Sequence, residues 1–223
     1  MTPQIRCVVL DIDDTLYLER DYAASGFHAV GEHLQAAAFA SSAVAALERG
    51  VRGRIFNEVL ADLGLDPGPG GISELVRVYR EHTPTIELLR DARERIESWN
   101  LRAALAVITD GPLASQQAKA QALGLGKWCR PILFTSALGP DCGKPHPAAY
   151  REVEEQLNMR PEECVYIADN PHKDFVTPRQ RGWLSVRVRR PRSLHEAMVS
   201  GDDVDWEVEN LDDLPAELEA LLP

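Results

Sequence analysis

Short, continuous apolar runs recur along the chain, and each is followed directly by polar residues. A run that is apolar at every position, rather than at alternate positions, is typical of a strand buried on both faces of a parallel sheet. We therefore predict strands at CVVLDID (7–13), LAVITDG (105–111), PILFTS (131–136), CVYIADN (164–170) and LSVRV (184–188), with WEVEN (206–210) as a candidate sixth.

Amphipathic stretches separate these runs. The predicted helices are TIELLRDARERIESW (85–99), LASQQAKAQALGL (113–125), PAAYREVEEQL (147–157) and LPAELEALL (214–222). The second ends at Gly124 or Gly126, which are good C-cap residues, and the third has proline near its first turn. Regular alternation of strands and helices predicts an α/β fold, a Rossmann-like, doubly wound parallel sheet.

The interval between the first two predicted strands breaks this alternation. It is rich in alanine, has a helical pattern of apolar positions and is too long to be a loop. We predict that residues 17–82 form a small, inserted α-helical cap domain. Residues 1–16 and 83–223 then form the α/β core domain.

Composition and charge narrow the class of protein. The chain has 223 residues, which is enough for one core and a smaller second domain. Lys and Arg total 24 and Asp and Glu total 35, giving a net charge of -11. This balance argues against nucleic acid and against anionic membrane surfaces as partners.

The cysteines and the N-terminal segment indicate the compartment. The four cysteines contain no CxxC pair, which argues against a structural zinc site, and Cys7 and Cys164 border apolar runs as buried small hydrophobes do. The N-terminal apolar run is too short for a signal peptide, and no run is long enough to cross a bilayer. We expect a reduced, cytoplasmic protein that is a monomer or a homodimer.

Polar residues of related chemistry follow the predicted strands, at the carboxyl ends where ligands bind in open α/β sheets. They are Asp11, Asp13 and Thr15 after the first strand, Thr109, Asp110 and Gly111 after the second, Lys144 beyond the third, and Asp169, Asn170 and Asp174 after the fourth. Crowded carboxylates beside a lysine and a hydroxyl suit a hard divalent cation and a phosphate group.

In this arrangement the sequence resembles the haloacid dehalogenase (HAD) superfamily, subfamily I, whose members carry a small helical C1-type cap. The resemblance covers the core from Ile5 to about Arg189. The four motifs appear in order, as DIDDT (11–15), ITDG (108–111), Lys144 in GKPHP, and IADNPHKDF (167–175). Ala168 stands where the family usually has glycine.

The resemblance implies a Mg²⁺-dependent phosphatase that hydrolyses a small phosphorylated metabolite, such as a sugar phosphate. Asp11 would be the nucleophile and would form an aspartyl-phosphate, while Asp13 would act as general acid and base. Mg²⁺ would be bound by the carboxylates of Asp11 and Asp169 and by the backbone carbonyl of Asp13. Asp174 would support the metal shell indirectly.

The remaining motif residues would hold the phosphoryl group. In the resemblance these are Thr109, the amides of Asp110 and Gly111, and Lys144, which would also neutralise charge in the transition state. The Thr15 hydroxyl is expected to orient Asp13, and Asp14 is expected to be a solvent-facing or helix-capping acid. The six histidines form no metal-binding pair, so we expect surface or packing roles for them.

The presence or absence of single residues argues against some other branches of the family. Asp13 disfavours a dehalogenase, because a halide leaving group needs no proton, and the absence of lysine before Lys119 excludes a cap lysine that forms a Schiff base. A phosphomutase and a non-catalytic regulatory or binding domain remain as alternatives. The candidate substrate contacts near or within the cap, which could instead pack cap against core, are Glu19, Arg20, Tyr22, Tyr79, Arg80 and His82.

Overall fold

The structure, a computed structural model, describes residues 4–222, and its central element is a six-stranded parallel sheet. The strands are β1 Cys7–Leu10, β2 Ala104–Thr109, β3 Ile132–Phe134, β4 Cys164–Ala168, β5 Leu184–Val188 and β6 Trp206–Val208. Their order across the sheet is β3-β2-β1-β4-β5-β6. The predicted α/β class with a doubly wound parallel sheet is confirmed, and the candidate sixth strand is present.

The central strands β1 and β4 form continuous apolar runs because both of their faces are covered. All four residues of β1 and all five of β4 are buried, and Cys7 pairs in register with Cys164. The helices that accompany the sheet are α5 Arg90–Trp99, α6 Leu113–Ala122, α7 Ala148–Leu157, α8 Val176–Arg181 and α9 Ala216–Glu219. Short 3₁₀ turns connect several of these elements.

The chain divides into two compact units. One contains the chain up to Glu19 and from Glu87 onward, and the other is Arg20–Ile86. The second unit and the expected cap have residues 20–82 in common. Its four helices are α1 Glu19–His33, whose first residue belongs to the first unit, α2 Ala37–Glu48, α3 Ile55–Leu63 and α4 Gly71–Glu81. They enclose a core that includes Phe27, Val30, Phe39, Ala43 and Leu75.

The helix predicted at 85–99 begins later than its sequence pattern suggested. Residues before Arg90 are extended, and Ile86 and Leu88 are buried whereas Thr85 and Glu87 are exposed. This alternation has the period of a strand rather than of a helix. Leu89 donates a backbone hydrogen bond to the Leu16 carbonyl at 2.9 Å, which fixes the extended segment beside the end of the first loop.

Within residues 4–222, none of the helices combines the length and the apolar character that crossing a membrane requires.

Candidate active site

Two adjacent strands deliver the central carboxylates. β1 ends at Leu10 and β4 ends at Ala168, and the two strands pair in parallel with Leu10 opposite Ile167. Asp11 therefore begins its loop beside Asp169, and its backbone amide donates to the Ile167 carbonyl at 2.9 Å. Parallel strands bring their carboxyl ends to one edge, so these acids are neighbours although they are far apart in sequence.

Asp11, Asp169 and Asp174 form a buried carboxylate cluster around one lysine. One carboxylate oxygen of each lies within 4.8 Å of the others. Lys144 Nζ is 2.9 Å from Asp11 Oδ1 and 2.8 Å from Asp174 Oδ1, and it donates to the Tyr166 hydroxyl at 3.0 Å. The structure thus brings together four of the residues that the sequence singled out.

Burial dominates the electrostatics of this cluster. It raises the pKa of Asp11 to about 7, because desolvation and the charge of Asp174 outweigh the attraction of Lys144. Burial acts in the opposite direction on Lys144, but Asp11 and Asp174 hold the pKa of its ammonium well above the usual value. Lys144 contacts two of the three clustered carboxylates, and its one ammonium therefore balances only one carboxylate charge.

This donor set fits a hard divalent cation. Carboxylate oxygens are the ligands that Mg²⁺ prefers, and a bound divalent charge would offset the excess negative charge of the cluster. Asp174 has a further contact that positions it, since its Oδ2 accepts from the Asn170 backbone amide at 3.0 Å. Asp11, Asp169 and Asp174 are therefore a group of side chains that could hold a metal ion.

Asp13 is held by donors that sequence reasoning did not identify. Lys119 Nζ lies 2.7 and 2.8 Å from its two carboxylate oxygens, Gln116 Nε2 donates to Oδ2 at 3.0 Å, and the Tyr17 hydroxyl donates to Oδ1. The expectation that Thr15 orients Asp13 is wrong. The Thr15 hydroxyl is buried and has no hydrogen-bond partner among residues 4–222.

The end of β2 carries the candidate phosphate-binding residues. The Thr109 hydroxyl donates to Gln116 Oε1 at 3.1 Å, and Gly111 follows with a φ of 133°, in a region that favours glycine.

The Asp110 carboxylate ties this loop to the next one. It accepts from the Thr135 hydroxyl at 2.7 Å, from the Lys144 backbone amide at 3.1 Å and from Lys173 Nζ at 2.6 Å. Burial opposes ionisation, but Lys144 and Lys173 lower the pKa of Asp110 below its usual value.

Asp14 and His195 lie beside the cluster. Asp14 is 3% exposed, so the solvent-facing alternative for it is wrong, and its carboxylate accepts from the backbone amides of Glu19, at the start of α1, and Leu194. His195 Nδ1 is 2.8 Å from Asp169 Oδ2, so the expectation of a surface or packing role is wrong for this histidine. The hydrogen bond to Asp169 raises the pKa of His195.

The structure assigns separate surroundings to the candidate substrate contacts. Glu19 is half-buried, and desolvation followed by the charge of Asp13 raises its pKa to about 7. Within the helical unit, Arg20 is paired with Glu48.

Three other candidates group together in the helical unit. The ring centroid of Tyr22 is 5.7 Å from that of Tyr79 and 4.9 Å from that of His82. Arg80 and Tyr79 line a cavity of about 270 Å³ in that unit together with Phe27 and Phe56.

One signal for two of the missed residues was present in the sequence. Gln116 and Lys119 are three residues apart on the helix that directly follows the second motif, so they share a face with Ser115 and Ala120, and all four are buried. A buried polar face on a helix next to a site is unusual enough to mark functional contacts. The sequence carries no comparable signal for His195, whose segment lacks a strand or helix.

Comparison with known proteins agrees with this geometry. A family model described as haloacid dehalogenase-like hydrolase matches residues 5–177, and a second, described as HAD-hydrolase-like, matches residues 141–214. Among solved structures, the magnesium-bound HAD-hydrolase YfnB of Bacillus subtilis has a TM-score of 0.68 at 18% identity, covering 96% of this chain and 99% of that chain. A HAD family hydrolase of Deinococcus radiodurans with bound phosphate and sodium has a TM-score of 0.68 at 20% identity, covering 100% and 99%. These structures share the fold.

Two of the curated relatives are phosphatases. The glyceraldehyde 3-phosphate phosphatase of Methanopyrus kandleri is 26% identical over 96% of this chain and 95% of its own length. The phosphoserine phosphatase of Thermus thermophilus is 30% identical over 72% of this chain and 63% of its own length. The chain therefore belongs to the haloacid dehalogenase-like hydrolase family, is an enzyme of that family, and has phosphatases among its curated relatives.

Proposed function

We propose that this protein is a Mg²⁺-dependent phosphatase that hydrolyses a small phosphate monoester through an aspartyl-phosphate on Asp11. The observation that carries the proposal is the buried arrangement in which Lys144 contacts both Asp11 and Asp174 while Asp169 lies within 4.8 Å. An anionic nucleophile can attack an anionic phosphate only where positive charge is concentrated, and this cluster has a lysine and the donors for a metal ion.

The reaction proceeds in two steps on the residues of the core unit. The first step requires that Asp13 takes up a proton from solvent before it acts as the acid. An Asp11 carboxylate oxygen then attacks phosphorus and the bond to the ester oxygen breaks, while Asp13 gives this proton to that oxygen. Asp13, now a carboxylate, then takes a proton from water as the water attacks the aspartyl-phosphate. Inorganic phosphate leaves, and both acids return to their starting states.

Phosphate binding involves the ends of β2 and β3. Lys144 neutralises the phosphoryl oxygens, and the amides of Asp110 and Gly111 donate to them at the start of α6, where the helix dipole is also favourable. The Thr109 hydroxyl proton, which points to Gln116 in the structure, would turn to the phosphate when substrate binds. The Asp110 side chain has a structural role, because its carboxylate accepts from the Lys144 backbone amide and so fixes the loop that carries Lys144.

Magnesium would be held by Asp11, Asp169 and the backbone carbonyl of Asp13, and it would offset the repulsion between the nucleophile and the phosphate. Asp174 supports this site indirectly through its contacts with Lys144 and the Asn170 amide.

The substrate is a small metabolite, and we favour a sugar or triose phosphate. The support is the glyceraldehyde 3-phosphate phosphatase that matches nearly the whole chain. The phosphoserine phosphatase adds small amino-acid phosphates to the class worth testing. The residues Glu19, Arg20, Tyr22, Tyr79, Arg80 and His82 are candidates for recognising the organic part of the ester.

The test is phosphate release from a panel of triose, pentose, hexose, amino-acid and nucleoside phosphates, with Mg²⁺ and with EDTA. We expect Mg²⁺-dependent release by the wild type and by Asp202→Asn, a matched change at an exposed acid, and none by Asp11→Asn with unchanged circular dichroism. Release by Asp11→Asn at the wild-type rate would refute the nucleophile. Isomerisation of a sugar phosphate without net phosphate release would establish the phosphomutase instead.

A further inference from the structure

Helix α6 turns a polar face toward the protein interior. Of its ten residues, the buried ones are Ser115, Gln116, Lys119 and Ala120, and Lys119 is only 3% exposed. Burying an ammonium group is costly unless it is paired and hydrogen-bonded. Lys119 pairs with Asp13, whose two carboxylate oxygens lie 2.7 and 2.8 Å from Nζ.

The two members of this ion pair differ in exposure. The Lys119 side chain is 4% exposed and the Asp13 side chain is 20% exposed, so Asp13 is the more accessible of the two. Gln116 and Tyr17 add donors to separate oxygens, Oδ2 and Oδ1. Together these groups fix the side-chain torsions of Asp13.

The loop after β2 leaves room for the Gln116 side chain. A Cβ added to Gly111 would lie 2.8 Å from Gln116 Nε2, so the absence of a side chain there lets Gln116 pass between the loop and Asp13. The other end of the Gln116 amide accepts from Thr109. Gln116 thus links the candidate phosphate-binding threonine to the candidate acid and base.

We propose that Lys119 is the positioning residue for Asp13, with Gln116 as its assistant. This inference rests on the proposed function and names the group that makes Asp13 effective. Lys119 aims the Asp13 carboxyl at the ester oxygen, and its ammonium lies beside the negative charge that appears on Asp13 as the proton leaves. In this role Lys119 acts through Asp13.

The test compares two nearly isosteric esters that differ in their need for an acid. 4-Nitrophenyl phosphate releases a stable phenolate, whereas 4-nitrobenzyl phosphate releases a strongly basic alkoxide that must be protonated. For Lys119→Met we expect kcat on the benzyl ester to fall by about 30-fold or more, with KM changed by less than about 3-fold. The first turnover of the phenyl ester, followed by stopped flow, should stay within about 3-fold of wild type.

Further variants separate positioning from a merely structural role. Lys119→Arg, which keeps the cation, should recover part of the lost benzyl-ester activity, and Asp13→Asn with Lys119→Met should be no slower than Asp13→Asn alone. Lys127→Met, at an exposed lysine of the same unit, should match wild type. If Lys119→Met does not fold, Gln116→Met serves as the second variant. Its loss of the Thr109 contact affects both esters alike, and we expect a further loss on the benzyl ester alone.

The outcomes that overturn the inference are distinct from failure of the proposed function. Equal losses in the first turnovers of both esters, or additive losses in the double variant, would show a general structural role for Lys119. Wild-type kcat in Lys119→Met would show that Asp13 needs no such support. If the folded wild type hydrolysed neither these two esters nor any ester of the metabolite panel, the proposed phosphatase itself would be refuted.

Discussion

Gly111 combines a conformational requirement with a steric one. Its φ of 133° is rarely adopted by residues with a side chain, and an added Cβ would meet the Gln116 amide nitrogen at 2.8 Å. The end of the Gln116 side chain can swing away, so the main effect on stability comes from the backbone and the main effect on activity from displacing Gln116.

We therefore expect Gly111→Ala to lower the free energy of unfolding by about 1–2 kcal/mol and to lower kcat, both measured beside wild type. The control is Gly126→Ala, where an added Cβ meets no atom within 4 Å and φ is not in the left-handed region. If the two variants were equally stable and equally active, the glycine at 111 would have neither role.

Lys144 is the second residue whose removal has a defined consequence. It is the cation in contact with both Asp11 and Asp174, and its side chain is fully buried. Lys144→Met leaves two carboxylates buried without that partner. We expect the free energy of unfolding in EDTA at neutral pH to fall by about 3–5 kcal/mol, measured by urea denaturation.

Lys127→Met provides the comparison, because it removes the same charge from an exposed position. A loss of similar size in both variants would mean that the buried contacts of Lys144 contribute nothing to stability.

At the scale of elements, the sheet could be predicted from sequence and the helix ends could not. Strands buried on both faces leave a continuous apolar run, so each predicted run contains a strand. The segment from Thr85 to Leu89 shows the limit. Its alternation of buried and exposed residues spans only a few positions, and its neighbours from Arg90 onward are truly helical, so the two periods merge in the sequence.

Some contacts of the candidate site could be predicted from the sequence and others could not. Asp11, Lys144, Asp169 and Asp174 could be predicted to meet, because the ends of parallel strands share one edge. Predicting the partners of Asp13 would have required knowing which face of α6 is buried. The sequence indicates that face only by two polar residues that are three positions apart. Predicting the role of His195 would have required knowing that the segment after β5 folds back to the carboxylate cluster. Arg187 holds that segment in place by donating to the His195 carbonyl at 2.7 Å.

The short 3₁₀ turn Pro161–Glu163 before β4 makes a pH-dependent contribution. Glu163 accepts from the Arg160 backbone amide at 2.9 Å and from the guanidinium groups of Arg160 and Arg6. The backbone hydrogen bond, with these guanidinium contacts, lowers the pKa of Glu163 from 4.5 to about 2. The unfolded state therefore binds the proton more tightly than the folded state, and this contribution to stability is lost as pH falls.

We expect the difference in unfolding free energy between wild type and Glu163→Gln to be constant above pH 5 and to shrink as pH falls from about 4.5 toward 2. Urea denaturation of both proteins at several pH values measures it, and the other carboxylates cancel in the difference. A difference that stayed flat, or that grew toward low pH, would contradict the assignment.

On the scale of the whole molecule, the net negative charge of the chain is matched by a local concentration of carboxylates in the candidate site. The net charge is -11, and the carboxylates of Asp11, Asp169 and Asp174 lie within one small volume, with Lys144 as the ammonium that contacts two of them. Repulsion between the carboxylates of such a cluster destabilises the folded state relative to the unfolded state. A ligand of positive charge should therefore stabilise the folded chain as a whole.

We expect Mg²⁺ at about 100 times its dissociation constant to stabilise the protein by about 2.7 kcal/mol, which raises Tm by about 5–10 °C for a chain of this size. Asp169→Asn should abolish most of this shift because it removes a ligand, whereas Asp202→Asn should keep it. Differential scanning calorimetry in Mg²⁺ and in EDTA gives the answer without any assay of activity. An equal shift in Asp169→Asn would place the metal elsewhere, and no shift in wild type would mean that the carboxylate cluster binds no magnesium in the absence of substrate.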